Sequence, residues 1–409
     1  MVKFRNSKNA GKNRLHFKKC IIISKCFSRW HDPLKIYLNH LFDDVEFLYV
    51  NNLFRESDKS YTGKELIDYI TQLINAKKCN ICIFDLEFSW LLSPFEVASI
   101  SKNLIIPTFG IGMDDDRFHE INRILYRGVD AVLTFPFSVE KYRLIQKESY
   151  DFFPSFELAW DIDGQKQIKD IDVLFYGLLK GDRKHSIDFL LQKGIKINIL
   201  PFSTPNDELI RFIKRSKIVL NFSSGSPICS NPIQFLPFCK TRESDFPVKQ
   251  IKSRIFEVGN LGSLCLTDDF AGSNLFNKDN LCLVKNDQQM YDMIVHLLND
   301  ENFYNRKLSQ FQKMFLKKYS LNNRIFDFQE YIKKITVFKK NRIEIASYEI
   351  YKKESLMNAC SLATKMIYFK SVTVLFKHSR ENKSFLTFIF EIFVSIILLI
   401  KIMINFGIK

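Results

Sequence analysis

The 409-residue sequence predicts an α/β protein: two Rossmann-like domains facing a cleft, followed by a hydrophobic C-terminal helix. Three observations predict it. Short runs rich in Ile, Val and Phe recur roughly every 25 residues with longer polar stretches between them, as expected when parallel strands buried on both faces alternate with crossover helices. The rhythm breaks at WDIDGQKQIKD (160–170) and then restarts. The chain ends in FLTFIFEIFVSIILLI (385–400), with thirteen apolar residues among sixteen.

The first series of strands reads CIIIS (20–24), DVEFLYV (44–50), NICIFD (80–85), LIIPTFG (104–110) and DAVLTFP (130–136). None alternates polar with apolar, which is the pattern of strands covered on both faces. After the break come IDVLFYG (171–177), IKINIL (195–200), KIVLNF (217–222), SLCLT (263–267) and LCLV (281–284). Helices are expected in PNDELIRFIKR, DQQMYDMIVHLLND and ENFYNRKLSQFQKMFLKKY. The resulting organisation is a basic arm (1–18), a first Rossmann-like domain (19–165), a second (166–335), a basic helical segment (336–383) and an apolar tail (384–409).

With 46% hydrophobic and 26% charged residues, the chain has material for packed cores, which excludes wholesale disorder. The net charge of +15 is unevenly placed: residues 1–31 and 331–409 carry +9 each, leaving −3 for the body. A nucleic-acid enzyme grips phosphates with its folded surface, so this distribution argues against a nucleic-acid partner and suits cationic ends on an anionic membrane. Nine Cys are scattered and MVKFRNSKNAGKNRLHFKK lacks an apolar leader, so the bulk is expected in the cytoplasm with reduced thiols. Cys79 and Cys82 read as residues three apart on a strand, pointing to opposite faces and unable to share a metal.

Ligands of open parallel sheets bind beyond the carboxyl ends of the strands. That singles out 25–31, 86–90 and 110–116 in the first half and 177–183, 223–226 and 268–272 in the second. In YGLLKGDR, Gly177 permits close backbone approach to a phosphate and Arg183 can pair with a diphosphate; the string also reads as a plain turn. In KSRIFEVGNLG, Glu257 can accept two ribose hydroxyls while Arg254 neutralises the neighbouring pyrophosphate; a surface salt bridge is the alternative. Asp114, Asp115 and Asp116 follow a strand end, where a carboxylate can deprotonate an acceptor hydroxyl or cap a helix, and Asp115 is the nominal base. His31, in SKCFSRWHDP, is a second candidate base, with Asp32 as its one partner in view and a surface position as the alternative.

The block RIFEVGNLGSLCLTDDFAGSNLF, continuing through LVKNDQQMYDMIVHLLNDENFYNRKLSQFQKMFLKKYSLNNRI, resembles the C-terminal domain of group 1 glycosyltransferases with the two-Rossmann B-type fold, in particular the spore-maturation CgeB-like branch. DVLFYGLLKGDRKHSIDFLLQKGIKINIL is similar to the opening of that domain, and GIGMDDDRFHEINRILYRGVDAVLTFPFSVEKYR resembles a segment of its first half. The resemblance implies transfer of a sugar from a nucleotide-diphosphate donor bound mainly by the second domain to an acceptor on the first, with Glu257 on the donor ribose, Arg254 and Arg183 on the diphosphate and Gly177 at the close approach. Many relatives carry a further Glu eight positions before Glu257, where this chain has Lys249, so the sugar and the stereochemical outcome stay open. No metal and no cofactor are expected, since cationic side chains and helix starts can stabilise the leaving diphosphate.

A spanning helix needs ~20 mostly apolar residues, a length the tail reaches only by including Glu391 and Lys401, so it can span the membrane or lie on it. The expected protein is therefore a glycosyltransferase at the cytoplasmic membrane face, acting on a cell-surface glycan or a lipid-linked precursor. A non-catalytic nucleotide-sugar-binding scaffold and a sugar-nucleotide epimerase of the same fold are the alternatives.

Overall fold

A computed structural model describes residues 17–338 apart from 29, 57–62, 87–90, 113–114, 154–167, 180, 224–250, 270–275, 277–279 and 320, together with Met357 and Ser361. Each apolar run of the sequence contributes a strand, the central ones covered on both faces and the edge ones, at 42–49 and 197–200, keeping exposed positions. In the first half these are β1 (Phe17–Ser24), β2 (Phe42–Tyr49), β3 (Ile81–Asp85), β4 (Thr108–Ile111), β5 (Ala131–Thr134) and β6 (Ser149–Asp151). They form one parallel sheet in the order β2-β1-β3-β4-β5-β6. Helices α1 (His31–Leu38), α2 (Val50–Glu56), α3 (Lys64–Ala76), α4 (Pro94–Asn103), α5 (Asp115–Leu125) and α6 (Pro136–Leu144) make the connections.

The second half contains β7 (Ile171–Tyr176), β8 (Ile197–Leu200), β9 (Ser216–Asn221), β10 (Leu264–Asp268) and β11 (Cys282–Val284), parallel throughout in the order β11-β10-β9-β7-β8. Its helices are α7 (Asp182–Gln192), α8 (Asn206–Arg215), α9 (Arg254–Asn260), α10 (Asp287–Asn299) and α11 (Glu301–Lys318). The expected two-sheet α/β architecture is therefore present. Strand order reverses between β1 and β3 in one sheet and between β7 and β9 in the other. These switch points are where doubly wound sheets open a crevice at their carboxyl edge.

Three details depart from the sequence reading. β6 is an edge strand of only three half-buried residues, so it has no apolar run to announce it. Cys79 lies ahead of β3 rather than on it, and both Cys79 and Cys82 belong to one apolar layer instead of opposite faces. Both are buried thiols outside any disulfide, and among the described residues no cluster of His, Cys, Asp and Glu could hold a metal ion.

The third departure is α12 (Leu321–Phe338), which the boundary at 335 had divided between the second domain and the basic segment. It packs on the first sheet: Phe328 meets the rings of Tyr37, Phe109, Tyr150 and Phe152. Arg324, 7% exposed, donates through Nη2 to the Asp151 carbonyl and lies 3.4 Å from the Asp151 carboxylate through Nη1. The Tyr37 hydroxyl donates to the Arg324 carbonyl at 3.1 Å. One apolar cluster consequently runs from the α1 side of the first sheet through α12 into the second half.

At the amino-terminal edge of the second sheet, the Lys169 ammonium donates to Ser263 Oγ at 2.6 Å, and burial lowers its pKa to about 8. Between pH 8 and the ordinary lysine range the unfolded chain keeps a proton that the folded one has lost, so stability rises with pH there and the penalty is full below pH 8. Lys169→Met should therefore be more stable than the wild type by about 1–2 kcal/mol at pH 7, with the advantage shrinking toward pH 10. Melting temperatures of both proteins at the two pH values test this, and a pH-independent difference would refute it.

Among the described residues, no helix is long and apolar enough to cross a membrane; the tail, 384–409, lies outside them.

Candidate functional site

At the switch point of the second sheet, β7 ends in Tyr176 and turns at Gly177, whose φ of +116° is open to glycine at no steric cost. A Cβ there would also lie 3.1 Å from Arg254 Nη2. Arg254 opens α9 and spans the two strands that flank the crevice. Its Nη1 donates to the Leu220 carbonyl of β9 at 3.1 Å and its Nη2 to the Tyr176 carbonyl of β7. The guanidinium lies over the Tyr176 ring, 4.2 Å from the centroid, and 5.1 Å from that of Phe175. A planar fork with parallel donors is suited to this bridging; an ammonium is not.

One turn further along α9, Glu257 is buried with 7% exposure. Its Oε2 accepts a 2.5 Å hydrogen bond from the Tyr176 hydroxyl and its Oε1 one of 2.9 Å from the Ser253 hydroxyl. Burial, reinforced by the Glu257 charge, pushes the Tyr176 hydroxyl well above its ordinary pKa and keeps it a donor. A carboxylate offers four lone-pair directions, so two acceptor positions remain beyond these internal bonds. The reading of Glu257 as a surface salt bridge is corrected: the side chain is fixed inward beside the end of β7. α9 is seated against α11 because Gly259 leaves room for Phe315, whose ring would lie 2.4 Å from a Cβ.

Arg183 is the second residue of α7, which begins after the Gly177 turn. Burial and then the neighbouring Arg254 cation lower its pKa, with Asp268 acting in the opposite sense. The crevice therefore places two guanidiniums close enough to repel, an arrangement stabilised by an anion between or beside them. At its far rim the carboxylate of Asp268 is held by Ser223, through N–H at 2.6 Å and hydroxyl at 2.8 Å. The structure thus brings Gly177, Arg183, Arg254 and Glu257 to one sheet edge, together with Tyr176 and Ser253, to which the sequence had assigned no role. Lys249 lies outside the described residues.

In the first half His31 begins α1 and is 1% exposed. Its Nδ1 accepts the Ser28 N–H at 3.1 Å, so Nε2 carries the proton and faces Asp85 Oδ2 at 2.9 Å. The partner is Asp85, at the end of β3, instead of the neighbouring Asp32. With one nitrogen accepting and the other donating, the His31 ring is engaged at both nitrogens, and Nε2 supports the Asp85 carboxylate. Neither Asp85 nor Ser24 was singled out in the sequence, although a polar residue closing an apolar strand at a carboxyl edge is a usable signal. Asp115 is the first residue of α5, just after β4, and its side chain lies outside the described residues.

Comparison with the curated proteins finds no match. Among solved structures, an α-glucosyltransferase in complex with UDP and a 13-mer DNA shares the fold with a TM-score of 0.50 at 12% identity, over 78% of this chain and all of that one. HepE of Anabaena in complex with UDP-glucose superposes with a TM-score of 0.49 at 11% identity, over 77% of this chain and 99% of that one. A UDP-N-acetylglucosamine 2-epimerase gives 0.46 at 10% identity, over 81% of this chain and all of that one. Residues 183–330, which supply Arg183, Arg254 and Glu257 to the crevice, match the family described as glycosyl transferase-like.

Proposed function

We propose that the protein is a glycosyltransferase that moves a sugar from a nucleotide-diphosphate donor to a cell-surface glycan or a lipid-linked precursor. The observation that carries this reading is the buried Glu257 carboxylate set beside Arg254 and Arg183 at the switch point of the second sheet, within the segment similar to glycosyl transferases. In this reading the two remaining acceptor positions of Glu257 take the ribose hydroxyls. Arg183 and Arg254 hold the diphosphate, and Gly177 lets the backbone come near it. Charge developing on the departing diphosphate falls on cations already in place, which supplies the stabilisation that a metal provides in other transferases. The missing upstream carboxylate at Lys249 leaves the sugar to other contacts.

The near-neutral body of the chain does not suit a polyanionic acceptor, whereas the basic ends and the apolar tail suit attachment to the cytoplasmic face of a membrane carrying the acceptor. The test is a thermal-shift panel on the full chain with UDP-, GDP-, ADP- and TDP-sugars. A ligand at 100 times its Kd stabilises the fold by about 2.7 kcal/mol, so the preferred nucleotide should raise the melting temperature by several degrees. Absence of a shift with every nucleotide-sugar at millimolar concentration would overturn the proposal.

A further inference from the structure

The amino-terminal edge of the first sheet, opposite the edge at which ligands meet it, gathers features that sugar transfer does not use. All six strands are parallel, so the turns that precede them lie side by side there, those of β1 to β6 within about 20 Å. Ile105, ahead of β4, is 91% exposed; Leu144, at the end of α6 and ahead of β6, is 85% exposed. The turns that carry them are tied together. Asp130 Oδ2 accepts from the Thr108 N–H and hydroxyl at 2.7 Å each, joining the starts of β4 and β5. Lys147 Nζ donates to the carbonyls of Arg127, at 2.9 Å, and Val129, joining the starts of β5 and β6. Helix α12 runs against the direction of β6, meeting Asp151 through Arg324 and then Glu148 through Lys334, at 3.1 Å. Its last turn therefore reaches the same edge and adds Val337, 75% exposed.

Cations surround these side chains: Lys78 ahead of β3, Lys102 and Arg143 in the last turns of α4 and α6, and Lys334 on α12 are all exposed. Arg143 pairs with Glu140 and Lys334 with Glu148, in contacts that water screens to little attraction. Both cationic ends of the chain also join the body here. Residues 1–16, with five bases and no carboxylate, lead into Phe17 at the start of β1, and 339–383, with ten bases and four carboxylates, follow α12. Met357 is buried in the apolar layer on the opposite face of the same sheet, so the segment after α12 returns to this half. Cations at helix C-termini balance the helix dipole, which accounts for Lys102 and Arg143 but not for three protruding aliphatic side chains beside them. An anionic bilayer matches both, its headgroups taking the cations and its interface the aliphatic tips. A nucleic acid would meet the cations and leave Ile105 and Leu144 in water.

Resting on the membrane attachment proposed above, and not on the donor crevice, we infer that this edge is the face with which the folded body lies on an anionic membrane, with Ile105, Leu144 and Val337 entering the interface. The basic ends then act on the same side of the body, and the carboxyl edge of the first sheet points away from the bilayer.

The experiment uses the full chain and phosphatidylcholine vesicles, with and without phosphatidylserine, whose acyl chains are brominated near the headgroup to quench tryptophan. Leu144→Trp and Ile105→Trp each place a fluorophore at the edge, and Leu191→Trp places one at an exposed position on α7. On phosphatidylserine vesicles the emission added by Leu144→Trp and by Ile105→Trp should fall by about half or more, that of Leu191→Trp should not, and Ile105→Asp in the Leu144→Trp protein should cut the quenching at least about twofold. Vesicle binding without quenching of either edge variant would show attachment through the tail alone and overturn the inference, as would equal quenching of Leu191→Trp. Release from the vesicles by an RNA oligonucleotide at equal phosphate, or a dimer in solution that Ile105→Asp dissociates, would assign the edge to another partner and overturn it too. None of these outcomes touches the nucleotide-sugar thermal shift, which decides the transferase reading separately. No binding of the wild type to either kind of vesicle would refute both this face and the membrane attachment.

Discussion

Replacing Glu257 by Gln is expected to weaken nucleotide-sugar binding by about 10- to 100-fold, the loss of one or two charge-assisted hydrogen bonds, while the fold survives. The substitution keeps the shape of a side chain that is 7% exposed, so no cavity forms. What changes is charge and acceptor count. Tyr176 and Ser253 donate to the two carboxylate oxygens; an amide presents one oxygen and turns two N–H donors toward groups that are themselves donors. The Tyr176 hydroxyl can rotate to accept instead, which limits the stability loss to about 1 kcal/mol. In the proposed reading, however, two ribose hydroxyls no longer meet a carboxylate. Calorimetric titration of wild type and Glu257→Gln with the selected donor measures the effect, and unchanged affinity would remove Glu257 from the donor site.

Arg254→Ala should be the most damaging single change in the crevice, destabilising the protein by about 2–4 kcal/mol as well as weakening nucleoside diphosphate binding. The side chain is a clasp between β7 and β9: without it the carbonyls of Tyr176 and Leu220 lose their donor, and the cation over the Tyr176 ring is gone. Arg254→Lys separates the two functions. A lysine restores the positive charge near the diphosphate, but its compact ammonium does not present the fork that satisfies two strands at once. The expected order is therefore wild type, Lys, Ala for nucleotide affinity, with the Lys and Ala variants both unfolding at lower urea concentration than the wild type. Urea unfolding without nucleotide, alongside nucleoside diphosphate titration, distinguishes the two effects. Equal stability of all three proteins would show that the clasp contributes nothing.

How much of this was legible beforehand depended on how local the signal was. The strands from β1 to β5 and β7 to β11 are visible as apolar runs because the pattern is written into each run separately, even where the edge strands β2 and β8 keep exposed positions. β6 and α12 were not. β6 is three residues long, and α12 is placed by contacts with Tyr37, Tyr150, Asp151 and Phe152, all more than 160 positions away. That the proposed donor residues lie together was legible for a different reason. Arg254 and Glu257 lie one helical turn apart in a contiguous string, so spacing alone places them together. Their supporting contacts were not legible: Tyr176 reaches Glu257 across 81 positions, and Leu220 reaches Arg254 across 34.

His31 illustrates the limit most sharply. Its residue type and its place after β1 suggested a base, and Asp32 was the carboxylate beside it in the chain. Parallel pairing of β1 with β3 sets Ser24 level with Asp85 and so brings that carboxylate to the imidazole from 54 positions away. A hydrogen-bonded proton on one ring nitrogen and an amide on the other then decide what the histidine can do.

Hydrophobic patterning, acting within some ten residues at a time, was enough to specify two parallel α/β sheets and the edge at which ligands meet them. Which carboxylate ends up beside which imidazole, and which guanidinium clasps which strands, follows from strand order and register. Those arise when distant segments compete to bury apolar surface together, a balance over the whole chain that no short stretch contains.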